Sequence, residues 1–262
     1  MTISTLGTKV EAPNKVIVRL ADGEYQFSRS ISPFDMLAGA DPREYVMVQD
    51  SFNINNDVAN YTANSAISMA QKFDGLNYHD AHVKTLKSGL TVPTPARFMP
   101  HLRNVNNALN KKGVLYDACG NLIEGNRLKQ YANIVNNNSW VWLNASFPKG
   151  RGFLGLDLAT ITGLNDKNEP VISNVPLEDC LEKDCWADLE SLNAQGFPTK
   201  KASINKYEPG KTIYFYKPRK DAVARFDAGS SRADLDCGRG PSGRSDSLGV
   251  FTSTEGASVS QK

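Results

Sequence analysis

The chain is short of the residues that carry metal, redox or thiol chemistry. Its 262 residues include three histidines (His79, His82, His101) and four cysteines (Cys119, Cys180, Cys185, Cys237). That cysteine spacing fits no zinc pattern, and four thiols in so long a chain do not make a disulfide scaffold. His79 and His82 share a face of a predicted helix, but a zinc site needs further ligands and only His101 remains. Packing in or at the rim of a core is the better reading of that pair. No apolar run approaches about 18 residues, so no transmembrane helix and no direct membrane insertion are expected. Thirty Lys+Arg against 28 Asp+Glu leave a net charge of +2, which gives no argument for nucleic acid or an anionic membrane. The opening residues, MTISTLGTKVEAPNK, lack the basic–apolar–small pattern of a signal peptide. The chain therefore reads as intracellular or as carried outward within a larger particle. Lys149–Gly155 (KGRGFLG) is glycine-rich but lacks the phosphate-cradling GxxxxGK[ST] pattern, and reads as a turn. Nothing calls for a cofactor.

What is present reads as α+β, with short strands, a few helices and much irregular loop. Lys15–Ser28 alternates as a hairpin around Asp22-Gly23, and Tyr45–Val48 is a short strand. Asp50–Asn64 is asparagine-rich and has no assignable pattern. Residues 77–86 fit a helix, with His79, His82, Val83 and Leu86 on one face and Gly89 ending it. Thr94-Pro95 opens a second helix faced by Phe98, Leu102, Val105 and Leu109, which Pro100 either kinks or delays. Val114–Ile123 reads as a hairpin with Cys119 in its turn. Leu128, Tyr131, Ala132 and Val135 mark a third helix. Ser139–Phe147 is an aromatic central strand. Leu181, Cys185, Leu189 and Leu192 then recur as one helical stripe between Pro176 and Gly196, with Cys185 in the core. Thr212–Tyr216 (TIYFY) is the strongest strand signal.

The most unusual composition lies between Ala222 and Phe251. Val223, Ala224, Phe226, Ala228, Ala233, Leu235, Cys237, Pro241, Leu248, Gly249 and Val250 stand as a frame. Between them sit almost only Asp, Gly, Ser and Arg. Lys, Glu, Gln, Met and Trp are absent from Asp227 to Ser247. Every interleaved type can be encoded by a codon ending in a pyrimidine, and the five missing types cannot. That is a filter acting on codons rather than on protein.

The segment resembles the variable region of a diversity-generating retroelement target protein. The shared frame runs from Val223 to Val250 as VARFxAxSxxAxLxCxxxPxxxxxxLGV. The close resemblance covers about the last 30 residues; Asp184–Tyr216 fits more loosely, and the first 75 residues match nothing. The family carries this region at the C-terminus of a C-type-lectin-like fold related to formylglycine-generating enzymes. Template adenines are randomised there during reverse transcription. The resemblance implies residues 76–252 as a ligand-binding domain with variable region 222–251, behind an N-terminal segment 1–75 and before a disordered tail 253–262. Asn168-Glu169-Pro170 holds, in scrambled order, the calcium signature of sugar-binding lectins, but calcium needs six or more gathered oxygens.

The segment contains too much Gly and Asp for regular β. It is expected to wind, frame inward and polar residues outward, on a rigid scaffold. The expected ligand-binding residues are Arg225, Asp227, Gly229, Ser231, Arg232, Asp234, Asp236, Gly238, Arg239, Gly240, Gly243, Arg244 and Asp246. The arginines should be the strongest contacts, and the aspartates should answer cationic groups. The partner is a protein or cell-surface ligand, met from a virus or phage particle or a cell surface. Two other readings stand beside this one. One is an enzyme on the same fold, which needs a reactive cysteine pair. The other is a structural virion protein with the C-terminus as linker.

Overall fold

Val141, Leu143 and Ala145 alternate with Trp140, Trp142 and Asn144, and this period-two alternation makes a strand with one wholly apolar face and one mixed face. That strand sits inside the larger of two sheets. The computed structural model describes residues 15–20, 23–28, 40–55 and 58–255. In chain order the elements are β1 (Lys15–Leu20), β2 (Gly23–Ser28), β3 (Tyr45–Asn55), β4 (Val58–Ser68), α1 (Tyr78–Lys87), α2 (Pro95–Leu109) and α3 (Gly125–Asn137). There follow β5 (Ser139–Ser146), β6 (Asp157–Leu164), β7 (Pro170–Pro176), β8 (Cys185–Asp188), β9 (Thr212–Tyr216), β10 (Val223–Gly229), β11 (Arg232–Arg239) and β12 (Ser253–Glu255). Three helices and two sheets make this an α+β protein.

The seven-stranded sheet runs β7-β6-β5-β10-β11-β9-β8, and the five-stranded one runs β1-β2-β4-β12 with β3 on β4. β1 and β2 pair antiparallel as the alternation of Lys15–Ser28 predicts; the Asp22 of the expected turn lies outside the described residues. One face of the larger sheet, built from Val141, Leu143, Phe215, Phe226 and Leu235, packs on Phe98, Leu102 and Val105 of α2 and on Tyr131 and Val135 of α3. Val46, Val48 and Ile67 join this same core. A smaller core covers part of the opposite face, where Tyr78, Val92, Trp142, Ile161, Val223, Leu248 and Val250 meet.

Several expectations differ from the structure, and the unassigned Asn-rich stretch finds its place. The helix predicted between Pro176 and Gly196 does not form: Pro176 ends β7 and Cys185 opens β8. Local side-chain bonds compete with helix there. Asp188 Oδ1 accepts from Glu190 N, and Asn193 Oδ1 accepts from Phe197 N. The leucine stripe reaches the core from a loop instead, with Leu189 fully buried and Leu181 and Leu192 partly so. Cys185 is only half-buried, whereas Cys180 is buried. The Asn-rich stretch pairs as the β3–β4 hairpin. Ser253–Glu255, assigned to a tail, is strand β12 on β4, with Ser253 and Thr254 buried. Pro100 lies inside α2, which starts at Pro95 without delay.

The segment 222–251 differs from expectation as well. Val223–Gly229 and Arg232–Arg239 are regular strands, paired antiparallel in mid-sheet. Gly and Asp do lower strand propensity, but propensity mostly reports packing on a half-buried surface. Here alternate residues Ala224, Phe226, Ala228, Ala233, Leu235 and Cys237 are all buried, and their burial decides the conformation. Strand alternation sends the neighbours Val223 and Ala224 into opposite cores, and the β10 ladders shift register between Val223 and Arg225.

Candidate ligand-binding face

The pairing register fixes what stands on the open side of the sheet. Directly paired residues share a face. Trp140 pairs with Asp227, Asp227 with Asp234, Asp234 with Tyr214, and Tyr214 with Trp186. These five residues form one row across β5, β10, β11, β9 and β8. The neighbouring row is Trp142, Arg225, Asp236 and Tyr216. The interleaved residues Arg225, Asp227, Asp234 and Asp236 therefore lie between two groups of aromatic side chains. Trp140 is 40% exposed, and Trp186, Tyr214 and Tyr216 are half-exposed. Trp142 is covered: its Nε1 donates to Leu76 O at 3.1 Å, and Tyr78 meets it edge-on.

Each arginine expected to reach for a ligand is already engaged by an aspartate. Arg225 bonds Asp227, Arg232 bonds Asp234, Arg239 bonds Asp236 at 2.8 Å, and Arg244 bonds Asp80 at 2.7 Å. The Arg232 guanidinium also stacks 4.5 Å over the Tyr214 ring and donates to Tyr216 Oη. The face therefore presents a paired network rather than free charges. Asp236 is buried, accepts from Gly238 N at 3.0 Å, and serves as much to hold the strand end as to face solvent.

Asp227 is the exception to full pairing. Its Oδ1 and the Nε of Arg225 are buried with no hydrogen-bond partner. Burial pushes its carboxyl up to about 6, Arg225 pulls it down, and Asp234 opposite pushes it up again. Burial also raises Asp234, against the pull of Arg232. Like charges directly opposite in a sheet are unfavourable, which accounts for the guanidinium beside each.

Beyond β11 the chain becomes an arm laid over α1. Tyr78 N donates to Pro241 O at 3.1 Å, Gly75 N to Leu248 O at 3.0 Å, and Trp142 N to Gly249 O at 2.9 Å. Gln71 Nε2 holds Ser247 O at 2.6 Å. Between these anchors Gly240, Gly243, Arg244 and Asp246 are exposed, as is Ser231 at the β10–β11 turn, while Gly229 and Gly238 are half-exposed.

The glycines separate frame from interleaved positions. A Cβ on Gly229 or Gly240 would meet nothing within 4 Å, and one on Gly243 would touch Trp142 at an ordinary 3.7 Å. On Gly238 it would press the flexible Arg219 side chain at 3.1 Å. On the frame residue Gly249 it would lie 2.5 Å from Lys72 O and 2.3 Å from Asp74 Oδ1, a clash with backbone. Of the frame residues only Pro241 is less than fully buried.

Reading the sequence alone missed the aromatic residues of this face. Their signal was the alternation itself: in TIYFY, Ile213 and Phe215 are buried in the core, which sends Tyr214 and Tyr216 outward. Cys237 is fully buried, and burial raises its thiol well above the usual range; Cys180 is pushed up to about 12. His82 is buried with Nδ1 on Tyr78 O, and His101 bonds the Tyr131 hydroxyl. Asn168-Glu169-Pro170 is part of the exposed β6–β7 turn. Among the described residues no group of three or more His, Cys, Asp or Glu is placed to hold a metal. No protein-family model matches the chain, no curated protein matches it, and no solved structure matches it.

Proposed function

We propose that this chain is a ligand-binding protein whose recognition face is diversified by a retroelement. In this reading a C-type-lectin-like frame presents residues 225–246 from a virus or phage particle, or from a cell surface, as part of a larger assembly. The carrying observation is the split within one segment. Frame residues are packed and intolerant of added atoms, as at Gly249, while interleaved positions such as Gly229 and Gly240 have room for larger side chains; Asp236 is the interleaved residue that is itself buried. Such a surface can change its chemistry without changing its fold.

The constant aromatics complete the account. Tyr and Trp supply large contact area at low entropic cost and dominate interface energetics. Trp140, Trp186, Tyr214 and Tyr216 would give every variant this baseline, and the exchangeable residues would set specificity. The ligand is a protein or cell-surface group that offers hydrogen-bonding and charged partners to Asp and Arg.

The reading as an enzyme of the formylglycine-generating type needs a thiolate pair, and burial disfavours the charged form of Cys237. The linker reading needs an unpacked C-terminus, whereas Phe226, Leu235 and Val250 are buried. The direct test is the nucleotide sequence downstream of the coding region. A near-copy of the Ala222–Phe251 stretch, differing only where the copy has adenine, is the expected result. An unrelated downstream sequence with no reverse-transcriptase gene nearby contradicts the retroelement reading.

A further inference from the structure

The two edges of the seven-stranded sheet are treated differently. At β8 the outer edge is covered: Asp188 N donates to Lys200 O, and Ala202 N donates to Trp186 O. At the other edge, β7 reads Pro-Val-Ile-Ser-Asn-Val-Pro and carries no such cover. Among the described residues no backbone bond beyond the β6 ladder reaches Val171–Val175. Val171, Ile172 and Val175 are 43%, 54% and 47% exposed, which makes three of the six exposed large apolar residues among those described. Edge strands are usually defended by charge, proline or a bulge; here the prolines stand only at the two ends, the ladder irregularity lies on β6 between Ile161 and Gly163, and the five residues between the prolines contain no charge at all.

The sequence of this edge is close to its own reverse. Antiparallel pairing of β7 with itself, about a two-fold axis through Ser173, sets Val171 opposite Val175 of a second copy and Ile172 opposite its Asn174. Pro170 then faces Pro176 of the second copy, outside the bonded stretch, where the missing N–H costs no ladder bond. The two prolines bound the pairing to the apolar run. Two-fold pairing of one patch with itself is the commonest symmetry of soluble oligomers.

We infer that β7 is a dimerisation edge, at which two copies of this chain join their seven-stranded sheets into one continuous sheet. Two linked copies present two recognition faces. Linked sites gain avidity without any new contact, which would suit a surface whose individual variants bind weakly; that benefit rests on the proposed function, while the pairing itself does not.

Sedimentation velocity of the full chain through the micromolar range tests the pairing. A concentration-dependent monomer–dimer equilibrium is expected. Ile172→Lys should weaken it at least about a hundredfold, because a two-fold interface meets each new charge twice, with an unchanged far-ultraviolet spectrum. With dissolved oxygen and copper phenanthroline as the oxidant, Ser173→Cys should give a disulfide joining the two introduced thiols, identified by peptide mass, faster than Lys112→Cys on an unrelated exposed turn. A wild-type chain that stays monomeric at every concentration overturns the inference. So does a dimer that Ile172→Lys leaves intact, or equal cross-linking of the two cysteine variants. The recognition face takes no part in these readouts, so failure here and failure of the binding proposal are distinguishable.

Discussion

Asp227 and Asp234 stand directly opposite each other across β10 and β11, each bonded to the arginine two residues earlier on its own strand. The arrangement puts two carboxylates in mid-face and neutralises them locally. It also makes Asp227 a titrating group in the folded protein. Its folded value, about 6, lies above its ordinary value of 3.8, so the folded state binds this proton more tightly. Its stability contribution is full below about pH 4 and is lost as pH rises through about 6. Urea unfolding of the wild type and Asp227→Asn at pH 4.5 and 7.5 checks this. The stability difference, wild type minus variant, should fall as pH rises, by an amount on the order of 1 kcal/mol. A difference that is flat or grows with pH contradicts the assignment.

His82 and His101 act in the opposite direction. Burial lowers both to about 4 from an ordinary 6.5, so the unfolded chain takes up protons first. Their contribution is full above about 6.5 and is lost as pH falls towards 4. His101→Gln should therefore flatten the acid side of the stability curve between pH 6.5 and 4.5, as read by urea titration at each pH. An acid limb as steep as that of the wild type contradicts this.

The glycines predict a sharp asymmetry between neighbouring positions. Gly229→Ala and Gly240→Ala should change stability by no more than about 0.5 kcal/mol, the usual range for open surface sites. Gly249→Ala must displace Lys72 O or the arm itself, and should cost about 2 kcal/mol or more. Guanidinium melts of the three variants decide the point, and equal costs would remove the distinction between frame and interleaved positions.

The constant aromatics predict a shared dependence. If variants that bind a chosen protein are selected from a library at the interleaved positions, Trp186→Ala and Tyr214→Ala should each weaken them about tenfold or more. Calorimetry on several unrelated binders is the check. Binders indifferent to both substitutions would place recognition elsewhere.

The frame was readable in the sequence because its apolar residues keep fixed places among residues of one polar class; each of them but Pro241 is buried. The three helices and β9 were readable because their periodicity and end signals agree. The false helix before Gly196 arose because a leucine stripe satisfies helical spacing and a buried loop equally well, and only the Asx-type bonds of Asp188 and Asn193 tell them apart. The strand character of Val223–Arg239 was hidden by its glycines and aspartates, which tertiary packing overrides. The pairing of each arginine with an aspartate, and the aromatic flanks, depend on register between strands up to 87 residues apart, as between Trp140 and Asp227, which local pattern does not encode.

The most direct measurement compares two melts. One variant carries Gly229→Tyr, Ser231→Tyr, Gly240→Tyr and Asp246→Tyr together; the other carries Leu235→Ala alone. Leu235 is fully buried in the main core, so its truncation should cost roughly 2–5 kcal/mol and lower the melting temperature by about 5–15 °C. The fourfold surface variant should melt within about 2 °C of the wild type. If the four tyrosines destabilise the protein as much as the single core truncation does, the open side is not an exchangeable surface on a fixed frame.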